Sequence, residues 1–180
     1  MKTNFIAVCI LLIIAPNAFA QTANRFEAGV GYAPFYLAVS EDYFNKKFDI
    51  AAYFEWRHVA SNHFDYGAKL NYTIGPAQEG LKGTAHYLGA LAVADLNVFP
   101  GKTVNPYIGI ALGPAAGLSA DVSRGRNTFS FLLSVSPRIG FELFNHLRVS
   151  ASMDIVAYNP FRAGLVAAYM PMCFNVGWTF

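Results

Sequence analysis

Apolar and polar residues alternate along most of this chain with a period of two. The third such stretch is the cleanest: Phe64, Tyr66, Ala68, Leu70, Tyr72 and Ile74 fall on one side, and Asp65, Gly67, Lys69, Asn71 and Thr73 on the other. A period of two marks a β-strand with two unlike faces. The same reading predicts eight strands in all. The first four span about Asn24–Ala33, Asp49–His58, Phe64–Ile74 and Thr84–Phe99. The last four span Pro106–Leu118, Thr128–Leu143, Leu147–Tyr158 and Val166–Phe180. The chain closes on alternation back from Phe180 through Trp178, Val176, Phe174, Met172, Met170 and Ala168 to Val166, against Thr179, Gly177, Asn175 and Cys173.

Connections alternate in length. Short ones fall near Ala60–Asn62, Pro100–Val104 and Phe144–His146, and longer ones at Pro34–Phe48, Pro76–Gly83 and Ser119–Asn127; the last, near Asn159–Arg162, is short. Leu143 and Leu147 share a face, so the turn between them holds an odd number of residues, as in a three-residue turn with one left-handed position. Proline cannot donate to a strand ladder, so Pro114, Pro137 and Pro171 predict bulges or strand ends.

Composition then decides what the alternation means. The chain is 54% hydrophobic and only 13% charged, where soluble domains carry about 25% charged residues. After the N-terminal segment no apolar run reaches the roughly 20 residues of a membrane helix. A chain this apolar without such a run fits an all-β, antiparallel up-and-down transmembrane barrel whose strands face lipid on one side. Size fixes which side. The interior of an eight-stranded barrel is just wide enough for side chains to fill. Gly, Ser, Ala and Thr suit that space; the Phe, Tyr, Trp, Leu, Ile and Val of the opposite face do not. A one-residue slip would push Lys69 into lipid, at about 2–4 kcal/mol near the midplane. Aromatic residues also gather at strand ends: Phe26, Trp56, Phe64, Phe99, Phe141, Trp178 and Phe180 toward one end, and Tyr32, Tyr72 and Phe129 toward the other. Barrels carry such girdles at both membrane interfaces.

Residues 1–20 read as a cleaved secretion signal, with Lys2 before an apolar core from Phe5 to Ala15 and a small-x-small site at Ala18-Phe19-Ala20. Residues 21–180 are then a single barrel domain. Its one cysteine, Cys173, has no partner for an intrachain disulfide and reads as a small inward residue. The formal charge of +2 gives no field for nucleic acid.

The inward face carries Glu27, Glu55, Arg57, Asp65, Lys69, Asp95, Arg138, Glu142, Arg148 and Asp154. Both signs are present, and unpaired buried charge is costly, so a paired network filling the lumen is expected. His58, His63 and His146 fall at short turns and read as solvated. His86, near the far end of the fourth strand, is the one candidate for a catalytic base, with Ser119, Ser130 and Asp121 as conceivable neighbours. No nucleophile elbow, phosphate loop or paired-cysteine spacing occurs, and no cofactor or metal is expected.

With its signal segment, alternating strands and ending Phe174-Asn175-Val176-Gly177-Trp178-Thr179-Phe180, the chain resembles the small outer-membrane barrels, the OmpX-like proteins and the membrane domain of OmpA. The resemblance implies a bacterial outer-membrane location and contact with outer-membrane lipid and lipopolysaccharide. It also implies passage through periplasmic chaperones to the barrel-assembly machinery, which reads Phe174, Val176, Trp178 and Phe180. The expected protein is a non-catalytic monomer with a structural role in the envelope, or one in surface interaction through the loop Pro34–Phe48, with Glu41, Asp42, Lys46 and Lys47. A lipid-modifying enzyme centred on His86, or a narrow channel for small or apolar solutes, are the competing readings.

Overall fold

A computed structural model describes residues 24–36, 49–76, 83–121, 126–158 and 166–180. Its strands are β1 (Asn24–Tyr36), β2 (Asp49–Val59), β3 (Phe64–Pro76), β4 (Thr84–Asn97), β5 (Val104–Asp121), β6 (Arg126–Leu143), β7 (Leu147–Met153), β8 (Ile155–Tyr158), β9 (Val166–Tyr169) and β10 (Pro171–Thr179). Each pairs antiparallel with its neighbour. β1 meets β10 from Glu27↔Thr179 to Tyr36↔Pro171, and β5 meets β6 along its whole length, so the sheet closes on itself. β7 with β8, and β9 with β10, are the two halves of single staves, which makes the wall eight strands round. Closure pairs β1 with β10 and β5 with β6, so the ring has no open seam along those ladders, the condition for β-structure in lipid. Among the described residues β9 pairs on one side only, with β8.

The surface is inverted relative to a water-soluble protein. Val30, Leu70, Ile108, Phe131 and Ile139 stand exposed on the outside. The largest fully buried side chains are Arg57, Arg148, Glu55, Glu142, Asp65 and Asp95. The burial alternation in β2 runs Asp49, Ala51, Tyr53, Glu55 and Arg57 inward and Ile50, Ala52 and Phe54 outward. The terminal strand alternates likewise, with Phe174, Val176 and Trp178 exposed and Cys173, Asn175, Gly177 and Thr179 buried. Two small apolar clusters line the lumen, Leu91 with Val93 and Ala111, and Ala115 with Leu132 and Val156.

Several strand limits differ from the sequence reading. β1 continues past Ala33 to Tyr36, absorbing Pro34 through a register shift against β10 between Tyr32 and Phe35. The β5–β6 hairpin runs on to Asp121↔Arg126, so residues 119–121, expected in a loop, belong to the sheet. At Pro114 strand β5 does not end; only its ladder to β4 is interrupted, between Gly89↔Ala115 and Ala92↔Leu112.

Pro137 and Pro171 act together. β6 pairs with β7 up to Arg138↔Ser152 and resumes with β8 at Val135↔Ile155, so Pro137 lies opposite the break. Pro171 begins β10 on the other flank, where its carbonyl accepts from the Asp154 amide at 3.0 Å. Two missing ladder donors thus bracket Met153–Asp154 and split the stave. In β9, Tyr169 pairs with Val156 but Ala167 with Ala157, so Ala168 is the extra residue of a bulge. The unbroken period expected back to Val166 therefore ends near Met170.

The turn at 144–146 does hold three residues, Leu143 pairing with Leu147. It has two left-handed positions rather than one, Phe144 at φ 55° and Asn145 at φ 62°. The His146 amide donates to the Leu143 carbonyl at 3.1 Å, which closes a mirror-image turn around those two residues and leaves His146 as a bulge.

Candidate functional site: the charged lumen

The period of two sends every other residue inward, and the lumen gathers its charges in the half nearest the short turns. Arg138 of β6 reaches across the bore. Its Nη1 and Nη2 donate to Glu55 of β2 at 2.5 and 2.8 Å, and its Nε and Nη2 to Asp95 of β4 at 2.9 and 2.8 Å. β2 and β6 stand on opposite sides of the ring, so this doubly bidentate clamp spans its full width.

Arg57, fully buried, donates to Glu27 at 3.0 Å and to the Thr179 hydroxyl at 3.1 Å. It also lies 3.4 Å from Glu55, 3.6 Å from Asp65 and 3.5 Å from Glu142. Arg148 donates to Asp95 at 2.9 Å and to Glu27 at 3.3 Å, and its guanidinium sits 3.6 Å from the centre of the Tyr107 ring. Five carboxylates therefore interlock with three arginines from β2, β6 and β7.

The remaining two predicted members lie apart from this knot. The Lys69 ammonium rests over the Tyr53 ring at 4.3 Å. Asp154 accepts from the Ser136 hydroxyl and has the Cys173 thiol 3.9 Å away.

Other participants were not singled out from sequence. Arg25 donates to Glu142 at 2.8 Å and covers the turn end of the lumen; the period of two puts it on the same face as Glu27, and that signal was available. Asn105 donates to Asn97, which donates to Asp65, at 3.1 and 3.0 Å. Tyr53 donates to Glu27 at 2.6 Å; its ring lies against Gly29 of β1, and its hydroxyl with the Glu27 carboxylate lies against Gly177 of β10. A Cβ on either glycine would collide with that ring or hydroxyl. Tyr53 therefore covers the seam where the first and last strands meet, a close approach that only glycine allows. A polar vestibule of about 290 Å³ opens at the turn end between Arg25, Asp65, Asn97, Asn105 and Glu142.

His86 stands elsewhere, on the outer face, its Nδ1 2.6 Å from the Tyr72 hydroxyl and its Nε2 3.1 Å from that of Thr84. Ser130 belongs to the opposite, lumenal face of β6, between outward Phe129 and Phe131. The side chains of Ser119 and Asp121 lie outside the described residues, as do residues 1–23 and the loop residues Glu41, Asp42, Lys46 and Lys47. His63 and His146 bond to backbone carbonyls and His58 to the Asn24 side chain. No grouping of three potential metal ligands occurs among the described residues.

A closed eight-stranded ring, charged within and apolar without, decides the class. The chain has the fold of the small bacterial outer-membrane β-barrels. Solved structures agree. Ail, the attachment invasion locus protein of Yersinia pestis, matches with a TM-score of 0.55 at 13% identity, over 87% of this chain and 99% of that one. Ail in complex with the heparin analogue sucrose octasulfate matches at 0.54 and 15%, over 87% and 99%. The N-terminal β-barrel domain of Pseudomonas aeruginosa OprF matches at 0.50 and 14%, over 88% and 98%. No protein-family model matches the chain, and no curated protein does. The barrel's exterior is stable only against hydrocarbon, and its place is the outer membrane.

Proposed function

We propose that this protein is a non-catalytic barrel, closed to bulk flow, that contributes to envelope structure or to surface interaction through the loops opposite its short turns. One observation carries the closed lumen: Arg138 of β6 holds Glu55 from across the ring together with Asp95 of β4, while Arg57 also holds Glu55 and Arg148 also holds Asp95. An eight-stranded barrel has no bore to spare around such a knot. Residues 1–20 act as the secretion signal and 21–180 as the barrel domain, with Phe174, Val176, Trp178 and Phe180 as its assembly signal. The surface-interaction half draws support from Ail, named for attachment and invasion and solved with a sulfated sugar.

The test is conductance of the purified barrel in a planar lipid bilayer. The expected record is silent; reproducible ion-conducting steps would overturn the plug. Replacing residues 37–48 by a short Gly-Ser turn tests the surface role: binding of cells to a sulfated polysaccharide surface drops while heat-modifiable gel migration is kept. Unchanged binding would place that role elsewhere.

A further inference from the structure

His86 takes no part in the lumen network, yet it borders a cleft of about 110 Å³ on the outer wall. The cleft exists because of one small side chain. Along β5 the outward positions Ile108, Ile110, Leu112 and Leu118 are bulky and exposed, whereas Ala116 is not. Ala116 pairs across the ladders with Leu88 and Phe131, and the walls around it are Leu88, Leu118 and Phe129. This apolar slot is continuous with the lipid-facing surface.

At its edge stand Tyr72 and His86, and Thr84 begins β4 two residues before His86, at the end of the barrel away from the short turns. The two hydroxyls flank the two ring nitrogens, at 2.6 and 3.1 Å. A neutral imidazole donates to one hydroxyl and accepts from the other, so one hydroxyl proton remains for an acceptor beyond the three side chains. A charged imidazole donates to both and leaves two such protons beside a positive charge. The group is therefore a donor looking for an oxygen, and more so for an anionic one.

We propose that the cleft seats one phosphorylated, multiply acylated lipid of the outer leaflet, with an acyl chain over Ala116 and a phosphate oxygen at the Tyr72–His86–Thr84 group. The inference rests on the loop end facing the outer leaflet and is independent of whether the lumen conducts. An aromatic and polar rim over an apolar slot is the arrangement that barrels use at the interface level, here concentrated at one position on the wall.

The test is native mass spectrometry of the detergent-purified barrel with bis-phosphorylated lipid A, dephosphorylated lipid A or phosphatidylcholine. Wild type is expected to keep one lipid A molecule under activation that strips phosphatidylcholine. Ala116→Leu fills the slot with a residue that lipid tolerates, and His86→Phe removes the imidazole that links the Tyr72 and Thr84 hydroxyls; each lowers the retained fraction about tenfold. Ala68→Leu, an equal change at another outward position, leaves it unaltered. Heat-modifiable migration shows that each variant is folded. Equal retention by Ala116→Leu and wild type, or an equal loss in Ala68→Leu, would reduce the cleft to ordinary annular lipid. Equal retention of dephosphorylated lipid A would remove the phosphate from the proposal.

Discussion

Replacing Arg138 by methionine is the most direct probe of the lumen. The substitution keeps most of the side-chain volume and removes four charged hydrogen bonds, two to Glu55 and two to Asp95. At an effective dielectric near 20, a pair of unit charges at about 4 Å gains about 4 kcal/mol. Against two such gains stands the desolvation of the guanidinium, several kcal/mol, which the variant no longer bears. Neither carboxylate is wholly stranded. Asp95 keeps Arg148 at 2.9 Å, and Glu55 keeps Arg57 and Arg148 at 3.4 and 3.6 Å.

The expected loss is therefore about 3–5 kcal/mol, the range for breaking one partner out of a buried ionic group. Urea titration of the barrel folded in phospholipid vesicles measures it, with Trp56 and Trp178 as fluorescent reporters. Adding Glu55→Gln and Asp95→Asn to Arg138→Met removes the under-compensated carboxylate charge but takes from Arg148 its Asp95 partner, so only part of the loss should return. A loss under about 1 kcal/mol for Arg138→Met alone would refute the reasoning, because it would mean that water screens the lumen and the clamp holds little.

Tyr53→Phe leaves a Glu27 oxygen without its donor at the β1–β10 seam and should cost about 1–3 kcal/mol in the same titration; no change would show that water replaces the hydroxyl. Gly177→Ala must displace the Glu27 carboxylate and the Tyr53 hydroxyl, so it should lower stability more than Gly101→Ala, whose Cβ meets nothing within 4 Å, even though an alanine at φ 74° is strained. Leu70→Lys places a charge on the outer face in mid-strand, at about 2–4 kcal/mol, whereas Phe99→Lys at the turn end should cost about 0–1 beyond lost apolar contact; similar costs would mean that the hydrocarbon belt lies elsewhere. Phe144→Gly relieves a left-handed phenylalanine at φ 55° and should stabilise the hairpin by about 1 kcal/mol. A destabilised Phe144→Gly barrel would instead show that the ring makes an anchoring contact.

Sidedness was legible from sequence because it needs only parity: in a pleated strand a residue's face follows from its neighbour's, and the bulky row cannot fit inside a narrow ring. Lys69, Glu55 and Arg57 could be placed inward on that ground alone. Parity also held Arg25 on the face of Glu27, though nothing in the local pattern marked it as a network member. The tertiary structure decided who meets whom. Glu27 and Arg148 are 121 positions apart and touch because closure brings β1 beside the last stave. Strand tilt and ring curvature set the level at which Arg138 finds Glu55 across the lumen, and no spacing along the chain encodes that level. The same holds for Tyr53 over Gly29 and Gly177, and for the break at Asp154, where Pro137 and Pro171 act on one stave from both sides. The alternation determined an inside and an outside, and only closure of the ring turned the inside into a particular set of contacts.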